Sequence, residues 1–371
     1  MIKIKNFLIK IIYQIFKKIL FQFDPERVHD FVIRNLKFFS KSKCFLKTVN
    51  FIFNYENKVL EQNILGLNFK NPIGLAAGFD KNAELVNFWP SLGFGFIEVG
   101  SITAQFSLGN PKPRLWRLKK DKGLVVYYGL KNDGAKKISE RLKNFKSVIP
   151  LGISIARTNS PETVELQAGI NDYLITSKYF KDIGDYFTIN ISCPNAFGGQ
   201  TFMNPEMLKL LLKEFSKLNI SKPIFLKLAP DVSKEDLDKI IKIAEEYKMI
   251  NGFICTNLTK KRNLNLLEKN IPNVGGISGQ PLKNLANDVI SYIYQKTMGK
   301  YIIIGVGGVA SAEDAYQKIK LGASLIQLIT GMIFEGPQLI NQINYDLVKL
   351  LKKDGFSSIS EAVGYNFKNK L

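Results

Sequence analysis

From residue 70 onward, short and nearly continuous apolar runs alternate with longer amphipathic stretches, and this alternation constrains the chain more than any other feature. The runs are NPIGLAAG (71–78), FGFIEVGSI (94–102), PLGISIA (150–156), YFTINIS (186–192), PIFLKLAP (223–230), GFICTN (252–257), YIIIGVGG (301–308) and LIQLIT (325–330). Strands without a polar alternate face are those buried on both sides, as in parallel sheets covered by helices. Between them lie helix-start signals: Ser160 before Pro161, Ser233 three residues before Asp236, and Ser311 three before Asp314. Eight β-α units predict an α/β fold, a (β/α)8 TIM barrel, with an open doubly wound sheet as the alternative. The strand ends favour the barrel, because they carry Gly78, Asp80, Ser101, Asn190, Cys193, Lys227, Thr256, Asn257, Gly307, Gly308 and Thr330 at the rim where such barrels hold their active sites. Two connections, 103–129 and 258–280, are long enough to be lids or binding loops.

Residues 1–50 read as a separate helical extension ahead of a barrel domain over 51–371. Lys3, Asn6, Lys10, Gln14, Lys17 and Lys18 recur at helical spacing, leaving Ile, Leu and Phe over most of the remaining circumference. Lysines interrupt the apolar run too often for a spanning helix, and FQFDPER offers no signal-peptide cleavage site. The expectation is an interfacial helix lying on a membrane with its lysines toward headgroups; the alternative is that its apolar face packs on the domain behind it. The net charge of +20 fits an anionic membrane or nucleic acid, and eleven Lys/Arg against three acids in the first 50 residues favour the membrane.

The single histidine, His29, removes His-based triads and His-rich metal sites, so acid/base chemistry falls to Cys, Lys, Tyr, Ser or a carboxylate. Cys44, Cys193 and Cys255 form no CxxC, which argues against a disulfide framework or a Cys-rich zinc site; no metal is expected. Cys193, in NISCPNAFGG, reads either as an inert buried thiol or as a reactive group, and its place at a strand end between Asn190 and Asn195 favours the second. GVGG at 305–308 and Thr330 end the seventh and eighth strands, where barrels commonly bind phosphate, so a phosphate-bearing cofactor is implied. Lys227, midway along an apolar strand, faces an anionic ligand on desolvation grounds. Lys81 reads as a second cation at the rim or as a solvated loop residue. Asn190, Asn195 and Asn257 suit a planar ligand with carbonyl and N–H edges.

In order and spacing, NPIGLAAGFDKN, FGFIEVGSIT, GNPKPRLWRL, NISCPN, FLKLAPD, TNLT, GGISG and GVGG resemble the dihydroorotate dehydrogenases, and FQFDPERVHDF resembles their membrane-associated, quinone-dependent class 2. The resemblance runs from about residue 20 to the C-terminus. It implies FMN at the barrel mouth, oxidation of dihydroorotate to orotate in pyrimidine (UMP) synthesis, and quinone as electron acceptor through a tunnel under the N-terminal helices. It also implies a peripheral position on the cytoplasmic side of the cell inner membrane, with no nucleic-acid partner. Ala77, Gly78, Ser101, Asn190, Lys227, Thr256, Gly279, Gly308 and Thr330 match flavin-contacting positions, with Lys81, Ser154 and Gly307 beside them. Lys81, Asn190, Asn195 and Asn257 match substrate positions. Cys193 falls at the proton-abstracting base, Lys227 stabilises charge on the flavin, and His29 is expected to be structural.

The chain departs from the family in several places. Class 2 enzymes usually have serine at the base, whereas cysteine is typical of class 1. Val126, in VYYGLKN, stands where the family pattern NxxGFxN has asparagine, so a substrate contact is lost unless Tyr127, Tyr128 or Asn132 supplies it. Ser154 and Arg157 stand in GISIARTN where GINIGKN is usual, and Leu258 follows Asn257 where a hydroxyl residue is common. The competing readings are a tRNA-dihydrouridine synthase, a dihydroorotate dehydrogenase with a non-quinone acceptor, and a non-catalytic membrane-associated barrel.

Overall fold

A computed structural model describes residues 2–368. Helices α1 (Ile2–Leu20), α2 (Pro25–Phe39) and α3 (Lys43–Phe53) come first, so the helical extension runs three residues past the expected boundary at 50. A hairpin follows, β1 (Gln62–Ile64) with β2 (Leu67–Phe69). The strands after it are β3 (Ile73–Leu75), β4 (Phe96–Ile102), β5 (Leu115–Leu118), β6 (Gly123–Val126), β7 (Leu151–Ile155), β8 (Tyr186–Asn190), β9 (Ile224–Leu228), β10 (Ile250–Cys255), β11 (Gly276–Gly279), β12 (Ile302–Val306) and β13 (Leu325–Leu328). The helices among them are α4 (Ala135–Leu142), α5 (Leu166–Tyr179), α6 (Pro205–Ser216), α7 (Lys234–Glu246), α8 (Lys283–Thr297), α9 (Ala312–Lys320), α10 (Thr330–Glu335) and α11 (Leu339–Lys353).

Eight parallel strands close into a barrel in the order β3-β4-β7-β8-β9-β10-β12-β13; seven lie within the expected apolar runs, and β10 starts two residues ahead of its run at 252–257. Alternate residues point into the barrel. Phe96, Tyr186, Phe225, Ile254, Ile304 and Leu325 pack together at one end with Phe69 of the hairpin. One step up β4, β8, β9 and β13 the interior turns polar, with Glu98, Thr188, Lys227 and Gln327 all buried. The barrel is therefore an apolar plug beneath a polar floor, and the ligand cavity opens above that floor.

The helices follow the expected rhythm with two exceptions. Ser233 caps α7 and Ser311 caps α9, each accepting from the backbone N–H three residues on. Leu237, Ile240, Ile241 and Ala244 form the buried face of α7. Ser160-Pro161 instead opens a 3-10 turn, Pro161–Val164, and α5 starts at Leu166 under a cap from the Glu165 carboxylate. No α-helix connects β3 to β4. The buried Asp80 carboxylate ties that connection into a loop by accepting from Glu84 N, Leu85 N and Trp89 Nε1, and α3 packs against it, with Phe45 stacked on Phe88 at 6.3 Å.

The two long connections pair with each other. Residues 115–118 and 123–126 form a hairpin, β5 and β6, and β11 from the second connection adds to β6 as an antiparallel third strand over the barrel mouth.

Helix α1 departs from the expectation in its facing: Lys10 and Lys17 turn toward the barrel and not outward, while Lys3 and Lys18 stay exposed, and the apolar face does not pack on the domain behind it. Its polar stripe faces the barrel: Asn6 Nδ2 donates to Asn341 Oδ1 at 2.8 Å, Lys10 pairs with Glu335 at 2.7 Å, and Tyr13 and Lys17 donate to the Ile333 and Phe334 carbonyls. Its apolar stripe, Ile4, Phe7, Leu8, Ile11, Ile12, Ile15, Phe16 and Ile19, is exposed, and Phe31, Phe38 and Phe39 of α2 and Phe51 of α3 are exposed as well. Lys10 and Lys17 are thus consumed by the C-terminal end of α10, whose open carbonyls need donors. Among the described residues no helix is long and apolar enough to cross a membrane.

Candidate functional site

A cavity of about 220 Å³ opens at the C-terminal ends of the barrel strands, beneath the three-stranded lid, and extends toward α2 and α10. Ala77, Gly78, Lys81, Ser101, Asn190, Cys193, Asn195, Lys227, Thr256, Asn257, Gly279, Gly307, Gly308 and Thr330 all line it. These are the site residues anticipated from the sequence, with two exceptions. Ser154 is fully buried behind the wall, its hydroxyl 2.7 Å from that of Ser101, so it supports a lining residue. Asn132 does not reach the cavity: its amide donates to Thr103 Oγ1 and the Leu130 carbonyl and accepts from the Thr103 and Gly134 N–H groups. A side chain with both ends engaged holds the loop and has nothing left for substrate.

The amide cluster is largely preorganised. Asn190 donates to Ser101 Oγ at 2.8 Å and accepts from Asn257 Nδ2 at 3.2 Å, and Asn257 also donates to the Ser192 carbonyl at 3.1 Å. Asn195 donates to the Val126 carbonyl at 2.8 Å, while its own buried Oδ1 has no partner. An unpaired buried acceptor is costly and calls for a donor from a ligand. The Val126 side chain lines the same wall, as does Leu258, so neither departure from the family pattern is hidden in the scaffold.

Cys193 is a free thiol on the loop just past β8. Burial pushes its pKa up, against the opposing pull of the Asn195 and Ala196 backbone N–H groups and of the Lys260 and Arg157 charges. Lys81 lies 4.1 Å from the centroid of the Tyr128 ring and has no hydrogen bond or ion pair among the described residues. Burial, reinforced by Lys131, lowers its pKa to about 8. A desolvated cation with no counter-ion is poised for an anionic ligand.

Lys227 and Glu98 face each other on the floor, Nζ to Oε1 at 3.7 Å, both essentially inaccessible. Glu98 was not anticipated, although a carboxylate inside FIEVGSI carries the same desolvation signal that singled out Lys227. His29 was expected to be structural, yet it too lines the cavity, at the end nearest α2, with Nε2 3.0 Å from the Phe79 carbonyl. Tyr128 was named only as a substitute for Asn at 126, and its hydroxyl is buried there without a partner.

Glycines with positive φ, Gly307 at 115° and Gly308 at 71°, follow β12 and turn the backbone toward the cavity. Such a turn beside the start of α10 presents N–H groups suited to a phosphate. The buried, unpartnered Gln327 Oε1 and the Lys227 cation face the cavity from the floor, a pairing that fits a planar ring edge carrying both an N–H and an electron-rich carbonyl.

A closed parallel barrel with its cavity at the C-terminal rim, a pair of glycine turns after the seventh strand and a thiol at the fourth defines a barrel enzyme. The chain belongs to the dihydroorotate dehydrogenase family, whose model matches residues 59–351. It is 40% identical to a dihydroorotate dehydrogenase (quinone) of Crocosphaera subtropica over 93% of this chain and 94% of that one. It is 38% identical to one of Nautilia profundicola over 97% and 98%. A solved structure of the Eimeria tenella enzyme in complex with ferulenol superposes with a TM-score of 0.84 at 30% identity, covering 93% of this chain and 96% of that one.

Proposed function

We infer that this protein oxidises dihydroorotate to orotate and passes the two electrons to a quinone. Relatives of this description align over almost the whole chain, the helical extension included. The observation that carries the reading is the convergence on one cavity of an unpaired cation, three amides and a thiol. Dihydroorotate is an anionic ring with alternating carbonyl and N–H groups, and each feature has a counterpart among them.

FMN is the cofactor in this reading; bound, it supplies the hydride acceptor for the substrate and the electron donor for the quinone. Gly307, Gly308, Gly279 and Thr330 would hold its phosphate end, and Ala77, Gly78, Ser101, Asn190, Lys227 and Thr256 its ring. Lys81 holds the substrate carboxylate as a point charge. Asn190, Asn195 and Asn257 orient the ring, with Asn195 Oδ1 accepting from a ring N–H. Cys193 takes the proton from the ring carbon beside the carbonyl as a hydride leaves the adjacent carbon, so substrate loses one proton and one hydride and gains a C=C bond. Exclusion of water by the lid sheet strengthens each of these charged contacts.

The quinone enters from the α1–α2 side. The cavity continues past His29 and Phe79 to Ile333 and Phe334. The exposed apolar stripe of α1 beside that opening supports supply from a membrane: eight large side chains each gain ~1 kcal/mol or more on leaving water, which is enough for reversible peripheral binding. In this reading the protein sits peripherally on the cytoplasmic face of the inner membrane, its extension (1–50) serving the quinone and its barrel (51–371) the dihydroorotate. The test is purification of a yellow protein in which dihydroorotate reduces a soluble quinone and NAD does not replace the quinone. A colourless protein, or one that turns over only with NADPH and RNA, contradicts the reading.

A further inference from the structure

We propose that Glu98 is a positioning residue that keeps Lys227 protonated at the cofactor edge whether or not electrons have arrived. The inference rests on the FMN reading above and deepens it.

Glu98 sits on β4 and is fully buried at the barrel floor. Its two oxygens have different surroundings. Oε2 accepts from Thr188 Oγ1 at 2.9 Å, Gln327 Nε2 at 3.0 Å and, weakly, Tyr186 OH at 3.5 Å. Oε1 has no hydrogen-bond partner and faces the Lys227 ammonium at 3.7 Å. Donors from two strands, β8 and β13, therefore clamp one oxygen so that the other carries its charge toward Lys227. The approach of Tyr186 depends on Gly152 of β7, since a Cβ there would lie 2.1 Å from Tyr186 Cζ.

The remaining titratable group against this carboxylate is Tyr186 on β8, whose pKa burial and the Glu98 charge raise well above the ordinary value, so it stays a neutral donor. Among the described residues Lys227 pairs with no carboxylate but Glu98. A buried ammonium without a counter-ion holds its proton less tightly. Were Glu98 absent, Lys227 would lose its charge before reduction and regain it only when negative charge arrives at the cofactor, so each reduction would carry an extra proton. With Glu98 present the charge is fixed beforehand, which is the preorganised arrangement that lowers reorganisation on electron arrival.

The experiment is redox titration of the FMN-loaded protein, reduced photochemically so that dihydroorotate is not needed, with proton uptake followed by an indicator dye. Wild type is expected to take up the same number of protons per two electrons across about pH 6 to 9, because the Glu98 carboxylate faces the Lys227 ammonium before and after reduction. Glu98→Gln is expected to take up about one more proton somewhere in that window. Its midpoint potential should there steepen by ~30 mV per pH unit, the two-electron value for one added proton. Glu98→Asp, which keeps the charge, restores the wild-type count. Equal proton uptake and equal slopes in wild type and Glu98→Gln overturn the proposal. If Glu98→Gln fails to fold, the infrared spectrum of wild type decides: a carboxylate in both redox states supports the inference, and a protonated carboxyl assigned to the barrel floor overturns it. A protein that binds no FMN overturns the cofactor reading and this inference together, whereas FMN that dihydroorotate fails to reduce overturns the substrate alone.

Discussion

Glu26 of α2 and Arg114 of the lid connection form a buried bidentate ion pair, Nε to Oε2 at 3.0 Å and Nη2 to Oε1 at 2.8 Å, each side chain about 5% exposed or less. This pair joins the DPER segment to the PRLWRL segment and so fixes the helical extension over the barrel mouth. Burial works against ionisation of Glu26, but the Arg114 and Lys131 contacts outweigh it and hold its carboxyl below the usual range. A depressed carboxylate pKa stabilises the fold above the unfolded value of about 4.3, and that contribution is lost as pH falls through the folded value. Glu26→Gln should therefore cost ~3 kcal/mol or more, because the guanidinium is left buried and unpaired. Thermal melts at neutral pH and near pH 4 check this: the gap between variant and wild type should narrow at the lower pH.

Lys81 titrates near pH 8 in the free protein because burial disfavours its charge. Only the protonated form attracts the dihydroorotate carboxylate, so affinity should fall as pH rises through that value. A bound anion favours the charged form and carries the pKa upward in the complex. Equilibrium titration with orotate from pH 6.5 to 9.5 is expected to show Kd weakening about tenfold per unit above about pH 8, and Lys81→Met should bind weakly at every pH.

The outward stripe of α1 supplies the membrane contact in this account. Ile11→Lys combined with Ile15→Lys places two charges on residues that are already exposed, so folding should change by less than ~0.5 kcal/mol. Vesicle sedimentation should fall by tenfold or more, while reduction of the bound cofactor by dihydroorotate persists. Loss of both together would mean that α1 holds the barrel in shape instead.

Val126 leaves an apolar patch beside Asn195 on the substrate wall. Val126→Asn adds a polar group facing the same region, and one new hydrogen bond is worth ~1 kcal/mol. The dissociation constant for dihydroorotate should fall about fivefold, measured from the concentration dependence of cofactor reduction.

The barrel and most of its rim were legible in the sequence, because burial on both faces writes strands as apolar runs and makes the few polar residues within them and at their C-terminal ends stand out. Gly78, Cys193 and Thr330 all lie where that logic puts them. Asn132 and Ser154 misled because residue type does not reveal whether an amide or hydroxyl is already engaged. The first β-α connection was misread because Asp80, a long-range acceptor for three donors, replaces the helix. The facing of α1 was hidden because helical periodicity fixes which residues share a stripe but not what each stripe meets, and Asn341 and Glu335 lie more than 300 positions away.

The central claim is that the Cys193 thiol removes the substrate proton, and rapid-mixing reduction of the bound cofactor by dihydroorotate tests it most directly. Burial raises the thiol pKa, so the base is mostly protonated at neutral pH and the reduction rate should climb with pH from about 6.5 to beyond the ordinary thiol value of ~8.5. Cys193→Ser should move that limb to higher pH, and Cys193→Ala should keep the bound cofactor while losing at least ~100-fold in rate. A Cys193→Ala protein that is reduced at the wild-type rate with the wild-type pH profile would contradict the account.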